Sequence, residues 1–96
     1  MGRFIGVMSE MTTIARLPGN VVIKQFWNDH HPPHFHAYQA EHEALVQIAD
    51  FAVYRGWLPP GALADTVTWA RNHQAELALN WVLADAKLPI RRIASP

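Results

Sequence analysis

The sequence contains no cysteine, no long apolar run and no excess of charge of either sign. The absence of cysteine excludes disulfides and thiolate metal ligands. No apolar run approaches the roughly 20 residues that a membrane-spanning helix needs. Eight basic side chains balance eight acidic ones, so there is no electrostatic reason to expect nonspecific binding to nucleic acid or to membranes. We therefore expect a cytoplasmic protein without a membrane segment.

The length of 96 residues suits one domain. Half of the residues are apolar, and four tryptophans supply large buried areas. Residues 1–10 fit poorly with the pattern that follows, and we expect them to be a mobile appendage or an upstream start. The single domain is then expected to cover residues 11–96. Because the chain carries no net charge, copies repel one another little, which favours a homodimer or a small protein partner.

The first half of the sequence has the alternation and β-branched content of strands. Turn signals interrupt it at residues 17–20, where Pro18, Gly19 and Asn20 follow one another, and at residues 28–33. The predicted strands cover residues 12–16, 21–27, 34–40 and 44–48, with a short further strand within residues 51–57. The connections are short, so neighbouring strands are expected to pair antiparallel.

Beyond Pro60 the apolar period changes from two to 3.6 residues. One stripe contains Leu63, Val67, Ala70, Leu77 and Trp81. This stripe predicts one long helix or two nearly collinear helices, followed by a short tail at residues 90–93. The predicted fold is therefore α+β, with a small antiparallel sheet of three to five strands and a long or broken C-terminal helix packed on it.

Four of the six histidines lie within residues 30–36, around the Pro32-Pro33 pair. If residues 34–38 form a strand, His34 and His36 project from the same face, roughly 6.5–7 Å apart, while Phe35 points into the core. The two prolines fix φ and stiffen the loop, as a preorganised site requires. We expect this pair of imidazoles to be open to solvent.

Three interpretations of the histidine cluster stay open. His31, His34 and His36 could together hold a divalent transition metal, with zinc, nickel, copper and iron(II) all compatible. Alternatively, His34 and His36 act as general base and general acid on a phosphodiester, with Asp29 fixing a tautomer through a hydrogen bond. In the third interpretation the rings are structural, because imidazole tolerates partial burial at the edge of a strand.

Other residues are candidates for binding rather than for chemistry. Asn28 and His31 flank Asp29 in the same loop. Trp69 lies off the apolar stripe of the helix, so it packs against a second surface or faces a partner. Arg91 and Arg92 form a basic pair that contacts phosphate or solvates the tail.

From Met11 onward the sequence resembles a small bacterial family known as domain of unknown function 4160. The resemblance rests on MTTIAR, on FWNDHHPPHFHAY, and on WARNHQAELALNW with its trailing LPIRRI. On this chain the family's motif corresponds to Asn28, Asp29, His31, Pro32, Pro33, His34 and His36, with Trp69, Asn80 and Trp81 in the helix.

The resemblance implies that the protein pairs with another small protein, in an arrangement like a toxin–antitoxin pair, and that RNA is its target. We therefore expect a component of such a pair whose active surface is centred on His34 and His36. The alternative is a protein-interaction or self-association module without catalysis, served by the additional apolar residues of the helix.

Overall fold

The computed structural model describes residues 12–93, which form a five-stranded sheet followed by two helices. The strands are β1 (Thr12–Leu17), β2 (Val21–Gln25), β3 (His34–Gln39), β4 (His42–Gln47) and β5 (Val53–Gly56). The helices are α1 (Pro60–Asn72) and α2 (Gln74–Asp85). This architecture confirms the α+β prediction. The expectation for residues 1–10 concerns a segment outside the described residues. Within residues 12–93, neither helix is long and apolar enough to cross a membrane.

Strands that follow one another in the chain are also neighbours in the sheet, in the order β1-β2-β3-β4-β5, and all pairs are antiparallel. The turn between β1 and β2 uses Gly19 and Asn20 at φ of 80° and 62°, a left-handed conformation that both residue types adopt readily. The turn between β3 and β4 lies at Ala40 and Glu41, so β4 begins two residues earlier than predicted, at His42.

Alternation along β3 separates the two faces of the sheet. Phe35 and Ala37 are completely buried in the main hydrophobic core. Trp69 of α1 packs edge-on against Phe35, with ring centroids 6.3 Å apart, so α1 covers this face. His34 and His36 lie on the opposite face, with ring centroids 5.0 Å apart. The predicted common face of the two histidines is therefore observed.

The two helices are separated at His73, whose backbone N–H bonds to the Ala70 carbonyl. The buried residues of α1 are Ala62, Thr66, Trp69 and Ala70. Leu63 and Val67, which belong to the predicted stripe, are only half-buried. The buried side is therefore rotated toward Trp69, because an indole ring removes more apolar area from water than a valine or leucine side chain does.

After α2 the chain crosses to the first strand through residues 88–93, a segment that we call the strap. Asn80, which is 1% exposed, donates a hydrogen bond to the Arg91 carbonyl at 2.9 Å and accepts one from the Arg91 N–H at 3.0 Å. The Ile93 N–H donates to the Ile14 carbonyl at 2.8 Å, and the Ile93 side chain enters the core. The strap thus closes part of the edge that β1 would otherwise expose.

Candidate metal centre

Three side chains converge where the loop between β2 and β3 folds over the sheet. The Nε2 atoms of His34 and His36 lie 2.9 Å and 2.8 Å from one oxygen, Oδ2 of Asp29. The two histidines stand two positions apart on β3, while Asp29 belongs to the loop. Their candidate ligand atoms all lie within 4.8 Å of one another. The group therefore offers two imidazole nitrogens and one carboxylate oxygen to a common point.

Local backbone geometry turns Asp29 toward the rings. Asn28 has φ of 58°, a left-handed conformation that asparagine accepts more easily than most residues. The second carboxylate oxygen of Asp29, Oδ1, accepts the backbone N–H of His30 at 3.1 Å. At the other end of the loop, the Pro33 carbonyl accepts the N–H of Ile48 at 3.1 Å. The loop is thereby attached next to β3, with Oδ2 of Asp29 facing the imidazoles.

The hydrogen bonds of His34 determine which of its nitrogens carries a proton. Nδ1 lies 2.7 Å from the Pro32 carbonyl oxygen, which can only accept, so Nδ1 donates. In the neutral ring Nε2 then presents a lone pair. Nε2 approaches Oδ2 of Asp29 to 2.9 Å, but its direction lies outside hydrogen-bond geometry, and within the described chain this buried atom has no hydrogen-bond partner. With a neutral His34 ring, two electron-rich atoms thus face each other, on a fully buried imidazole and on a carboxylate that is 11% exposed.

His36 lies between two carboxylates. Its Nδ1 is 2.9 Å from Oε2 of Glu43 and its Nε2 is 2.8 Å from Oδ2 of Asp29. Both carboxylates can only accept, and a neutral imidazole has one N–H, so a neutral His36 donates to only one of them. When Nδ1 donates to Glu43, Nε2 presents its lone pair toward Asp29. A carboxylate behind a histidine in this way is the usual support of a metal-binding imidazole.

The charges of this cluster lower the pKa of both carboxyl groups. Burial by itself raises the pKa of Asp29, but the hydrogen bond from His36 and the charge that His34 and His36 carry when they are protonated outweigh it, so the net pKa is lowered. The hydrogen bond from His36 is the main cause of the lowered pKa of Glu43, against a smaller opposing effect of burial. Both groups are therefore carboxylates at neutral pH.

Two phenol groups complete the surroundings of the histidines. The ring of Tyr38 stacks on His36 at a centroid distance of 6.2 Å. Burial, followed by a hydrogen bond to Glu43, raises the pKa of Tyr38 far above its usual range, so its hydroxyl keeps its proton and donates to that carboxylate. The hydroxyl of Tyr54 lies 3.1 Å from Nδ1 of His34, and burial raises the pKa of Tyr54 as well.

The expectation that the imidazoles are open to solvent is wrong. His34 is 1% exposed and His36 is 7% exposed. The Phe26 ring covers His36 at 4.3 Å between centroids, and the Trp81 ring of α2 covers His34 at 5.3 Å. Aromatic side chains from β2's end and from α2 thus close the site from two sides, which alternation within β3 does not reveal.

A family model described as "Domain of unknown function (DUF4160)" matches residues 21–82, from the start of β2 into α2. The chain belongs to this family. The match covers about two thirds of the sequence and contains Asp29, His34 and His36. It confirms the resemblance, although MTTIAR and LPIRRI lie outside the matched residues. No curated protein and no solved structure matches the chain.

The DUF4160 fold brings together only part of the predicted site. His31, which the sequence placed among the metal ligands, is exposed and packs edge-on against Trp81 at 5.5 Å between centroids. Asp29, which was predicted as an orienting group, is instead the third side chain that meets His34 and His36. Asn28 is exposed beside Asp29. Trp69 is 4% exposed and belongs to the core.

Arg91 and Arg92 of this DUF4160 domain lie in the strap rather than with the histidines. Both side chains are exposed, while the Arg91 backbone is held by Asn80. The loop and the strap therefore carry separate groups of the predicted site residues.

Two residues of the DUF4160 site, Glu43 and Tyr54, were not predicted from the sequence. Glu43 falls in the gap between the predicted strands at residues 34–40 and 44–48. Once Ala40 and Glu41 form the turn, Tyr38 pairs with Glu43 across the hairpin, diagonally next to His36, so the hairpin register was the available signal. Tyr54 contacts His34 from β5, whose pairing with β4 is irregular. No local sequence pattern predicts this contact.

Proposed function

We propose that this protein binds a divalent transition-metal ion through Asp29, His34 and His36. The proposal is supported above all by the buried Nε2 of His34, which has no hydrogen-bond partner in the described chain and faces Oδ2 of Asp29. A cation at this point bonds to both atoms and turns a repulsive arrangement into an attractive one.

The chemistry of the donors selects the class of ion. Two imidazole nitrogens with one carboxylate suit zinc, nickel, copper and iron(II), whereas magnesium and calcium prefer oxygen donors alone. Bonds of about 2.0–2.1 Å separate neighbouring ligand atoms by about 3.0–3.4 Å. Each ring lies slightly closer than this to Asp29, at 2.8 Å and 2.9 Å, while the ligand atoms of the whole group lie within 4.8 Å of one another. The Pro32 carbonyl and Glu43 hold the two Nδ1 atoms, which keeps each Nε2 directed at the ion.

The ion has a clear structural consequence for the protein. His34 and His36 lie on a strand that is paired on both sides, while Asp29 lies on the connecting loop. Binding all three joins the loop to the sheet, in a position already shielded by Phe26 and Trp81. An ion with three protein ligands also keeps a position for water, which it would make more acidic.

Zinc titration of protein prepared without chelators tests the proposal. We expect one equivalent of Zn²⁺ to bind and to raise the melting temperature. The variant Asp29→Asn keeps the size of the side chain and removes the charged donor, and it should lose at least tenfold in affinity. His31→Ala is the matched control, since this imidazole lies outside the group, and it should bind within about threefold of the wild type.

Two results would contradict metal binding at this point. The first is a wild-type protein with no affinity for zinc, nickel, copper or iron(II). The second is equal affinity of the wild type and Asp29→Asn, or loss of affinity only in His31→Ala, which would return the site to the histidine set predicted from sequence.

A second candidate is action on RNA as part of a toxin–antitoxin-like pair, with His34 and His36 as base and acid and Asp29 as their orienting group. It is supported by a row of side chains across one sheet face, in which Lys24 pairs with His36, and Leu45 pairs with both His36 and Arg55. The cationic side chains Lys24 and Arg55 thus stand at the two ends of the row that contains His36. A phosphate group bound there would be attracted to both. It comes second because both rings are buried.

RNA binding can be measured by fluorescence anisotropy with a labelled single-stranded oligonucleotide. Arg55→Gln should weaken binding severalfold, while Arg92→Gln on the strap should not. Equal binding by the two variants, or no binding by the wild type, counts against RNA.

The alternative without catalysis is an interaction or self-association module. It is supported by exposed apolar side chains on α2, where Leu79 is 44% and Val82 is 61% exposed. Sedimentation of the wild type and of Val82→Ser tests it, with a homodimer or a complex with a small partner protein expected only for the wild type. A strictly monomeric protein that binds no such partner would rule the module out.

A further inference from the structure

We propose that the strap, through Trp27 and Asn80, positions Asp29 and so sets the affinity of the metal centre from outside the ligand set. The inference rests on the proposed metal binding and assigns a role to residues that touch neither the ligands nor the ion. Trp27 and Asn80 are positioning residues in this scheme.

Asp29 is the adjustable member of the ligand group. His36 pairs with Lys24 of β2 and with Leu45 of β4, and His34 pairs with Gln47 of β4, so the sheet fixes the backbone of both histidines. Asp29 lies in the loop outside any strand. The distance from Oδ2 of Asp29 to the two Nε2 atoms therefore depends on how firmly this loop is held.

Trp27 connects the loop to the strap. It lies two residues before Asp29, and its indole Nε1–H donates to the Leu88 carbonyl at 3.1 Å. Just before it, Gln25 donates from Nε2 to the Leu77 carbonyl of α2 at 3.2 Å. The chain that leads into Asp29 is thus attached to α2 and, through Leu88, to the first residue of the strap.

Asn80 connects the strap to the body of the protein. Its amide makes two hydrogen bonds with the backbone of Arg91, in a position that is almost fully buried. The strap then ends on β1 through Ile93, with one backbone hydrogen bond to Ile14 and a buried side chain. Leu88 can therefore serve as a fixed anchor for Trp27, because its own N–H donates to the Leu83 carbonyl of α2 at 2.8 Å and the residues that follow it are held at two further points.

The physical consequence is a loss of preorganisation when the strap is loosened. If Trp27 has no anchor, the loop samples positions in which Oδ2 of Asp29 is too far from the imidazoles. The ion then binds only the fraction of molecules with the correct geometry, and the apparent affinity falls by that fraction. A side chain that contacts no ligand atom can change metal affinity in this way.

Zinc affinity of Trp27→Phe, measured by competition with a chelating dye, tests the anchor. Phenylalanine keeps an aromatic ring and removes the N–H donor. We expect affinity to fall about 2- to 10-fold, the equivalent of one hydrogen bond. Trp57→Phe is the matched control, because Trp57 is 56% exposed and its ring packs on His42, and its affinity should equal that of the wild type.

A second pair of variants separates positioning from stability. Asn80→Leu removes both bonds to Arg91, and Gln39→Leu removes a single, exposed bond from a side-chain amide to the Gly19 carbonyl at 2.8 Å in the β1–β2 turn. Both variants should unfold at lower denaturant concentration. Only Asn80→Leu should lose zinc affinity.

Thermodynamic linkage provides a further test. If the strap were purely structural, zinc would not change hydrogen exchange within it. If the strap raises zinc affinity, zinc must stabilise the strap by the same free energy. Hydrogen exchange at the backbone N–H groups of Arg91 and Ile93 should therefore slow when zinc is added to the wild type. In Trp27→Phe this slowing should be largely lost.

The outcomes distinguish the two proposals. If the wild type binds no metal ion, metal binding and the role of the strap both fail. If the wild type binds zinc but Trp27→Phe binds as tightly as Trp57→Phe, and zinc leaves exchange at Arg91 and Ile93 unchanged, the strap has no influence on the site and only this inference is overturned.

Discussion

Gly56 lies directly against the backbone of Glu43, so closely that a Cβ on Gly56 would overlap the Glu43 carbonyl oxygen. The same oxygen accepts the N–H of Trp57 at 2.9 Å. Gly56 also has φ of 80°, which a residue with a side chain adopts only with strain. Because Gly56 has no side chain, the end of β5 can pack directly against the backbone of Glu43, whose carboxylate bonds to His36.

Gly56→Ala should therefore destabilise the protein and weaken metal binding at the proposed site. We expect the free energy of unfolding to fall by about 1–3 kcal/mol, from the left-handed φ and the overlap with Glu43. Gly61→Ala is the control, because a Cβ there meets no atom within 4 Å and φ is not in the left-handed range. It should change stability by less than about 1 kcal/mol. Urea denaturation measures both, and equal losses would contradict the close approach.

Stability should depend on Glu43 at acid pH. The pKa of Glu43 is lowered in the folded protein, so its contribution is fully present above the unfolded pKa of about 4.3. It is lost as the pH falls through the lower, folded pKa. Melting temperatures between pH 3 and pH 6 should fall less steeply with acid in Glu43→Gln than in the wild type. Parallel curves would show that Glu43 gains no stabilising partner on folding.

Replacing His34 should destabilise the metal-free protein, in contrast to what an open site predicts. His34→Ala leaves a cavity under Trp81 and removes the donor to the Pro32 carbonyl, at an expected cost of about 2–4 kcal/mol. His30→Ala removes a side chain that is 70% exposed, and its effect should stay within about 0.5 kcal/mol. Thermal unfolding of both variants decides the matter, since similar melting temperatures would mean that His34 is accessible in solution.

The tryptophans allow a test of the core. Trp69→Ala removes the ring that packs on Phe35 and should cost about 3–5 kcal/mol. Trp57→Ala removes a ring that is 56% exposed and that contacts His42 at 5.0 Å between centroids, and it should cost about 1 kcal/mol or less. If Trp69→Ala is as stable as Trp57→Ala, Trp69 is a surface residue available to a partner, as the sequence allowed.

Secondary structure was predictable because its signals are local. Alternation and β-branched residues located all five strands within a few residues, and the change of period located the helices. The errors follow from packing. The buried side of α1 is centred nearer Trp69 than Leu63 because the largest side chain dominates the buried area. The start of β4 depends on the turn at Ala40, which only the paired strands fix.

By itself, the sequence determined that His34 and His36 share one face of a strand and that Phe35 enters the core, because side chains alternate along any extended chain. Only the tertiary structure decided that Asp29 rather than His31 meets the two imidazoles, that Phe26 and Trp81 cover them, and that Glu43 supports His36. These contacts depend on how a loop, a hairpin and a helix pack against one another. Spacing along the chain limits such distances without setting them, because several loop conformations satisfy the same spacing and packing selects one.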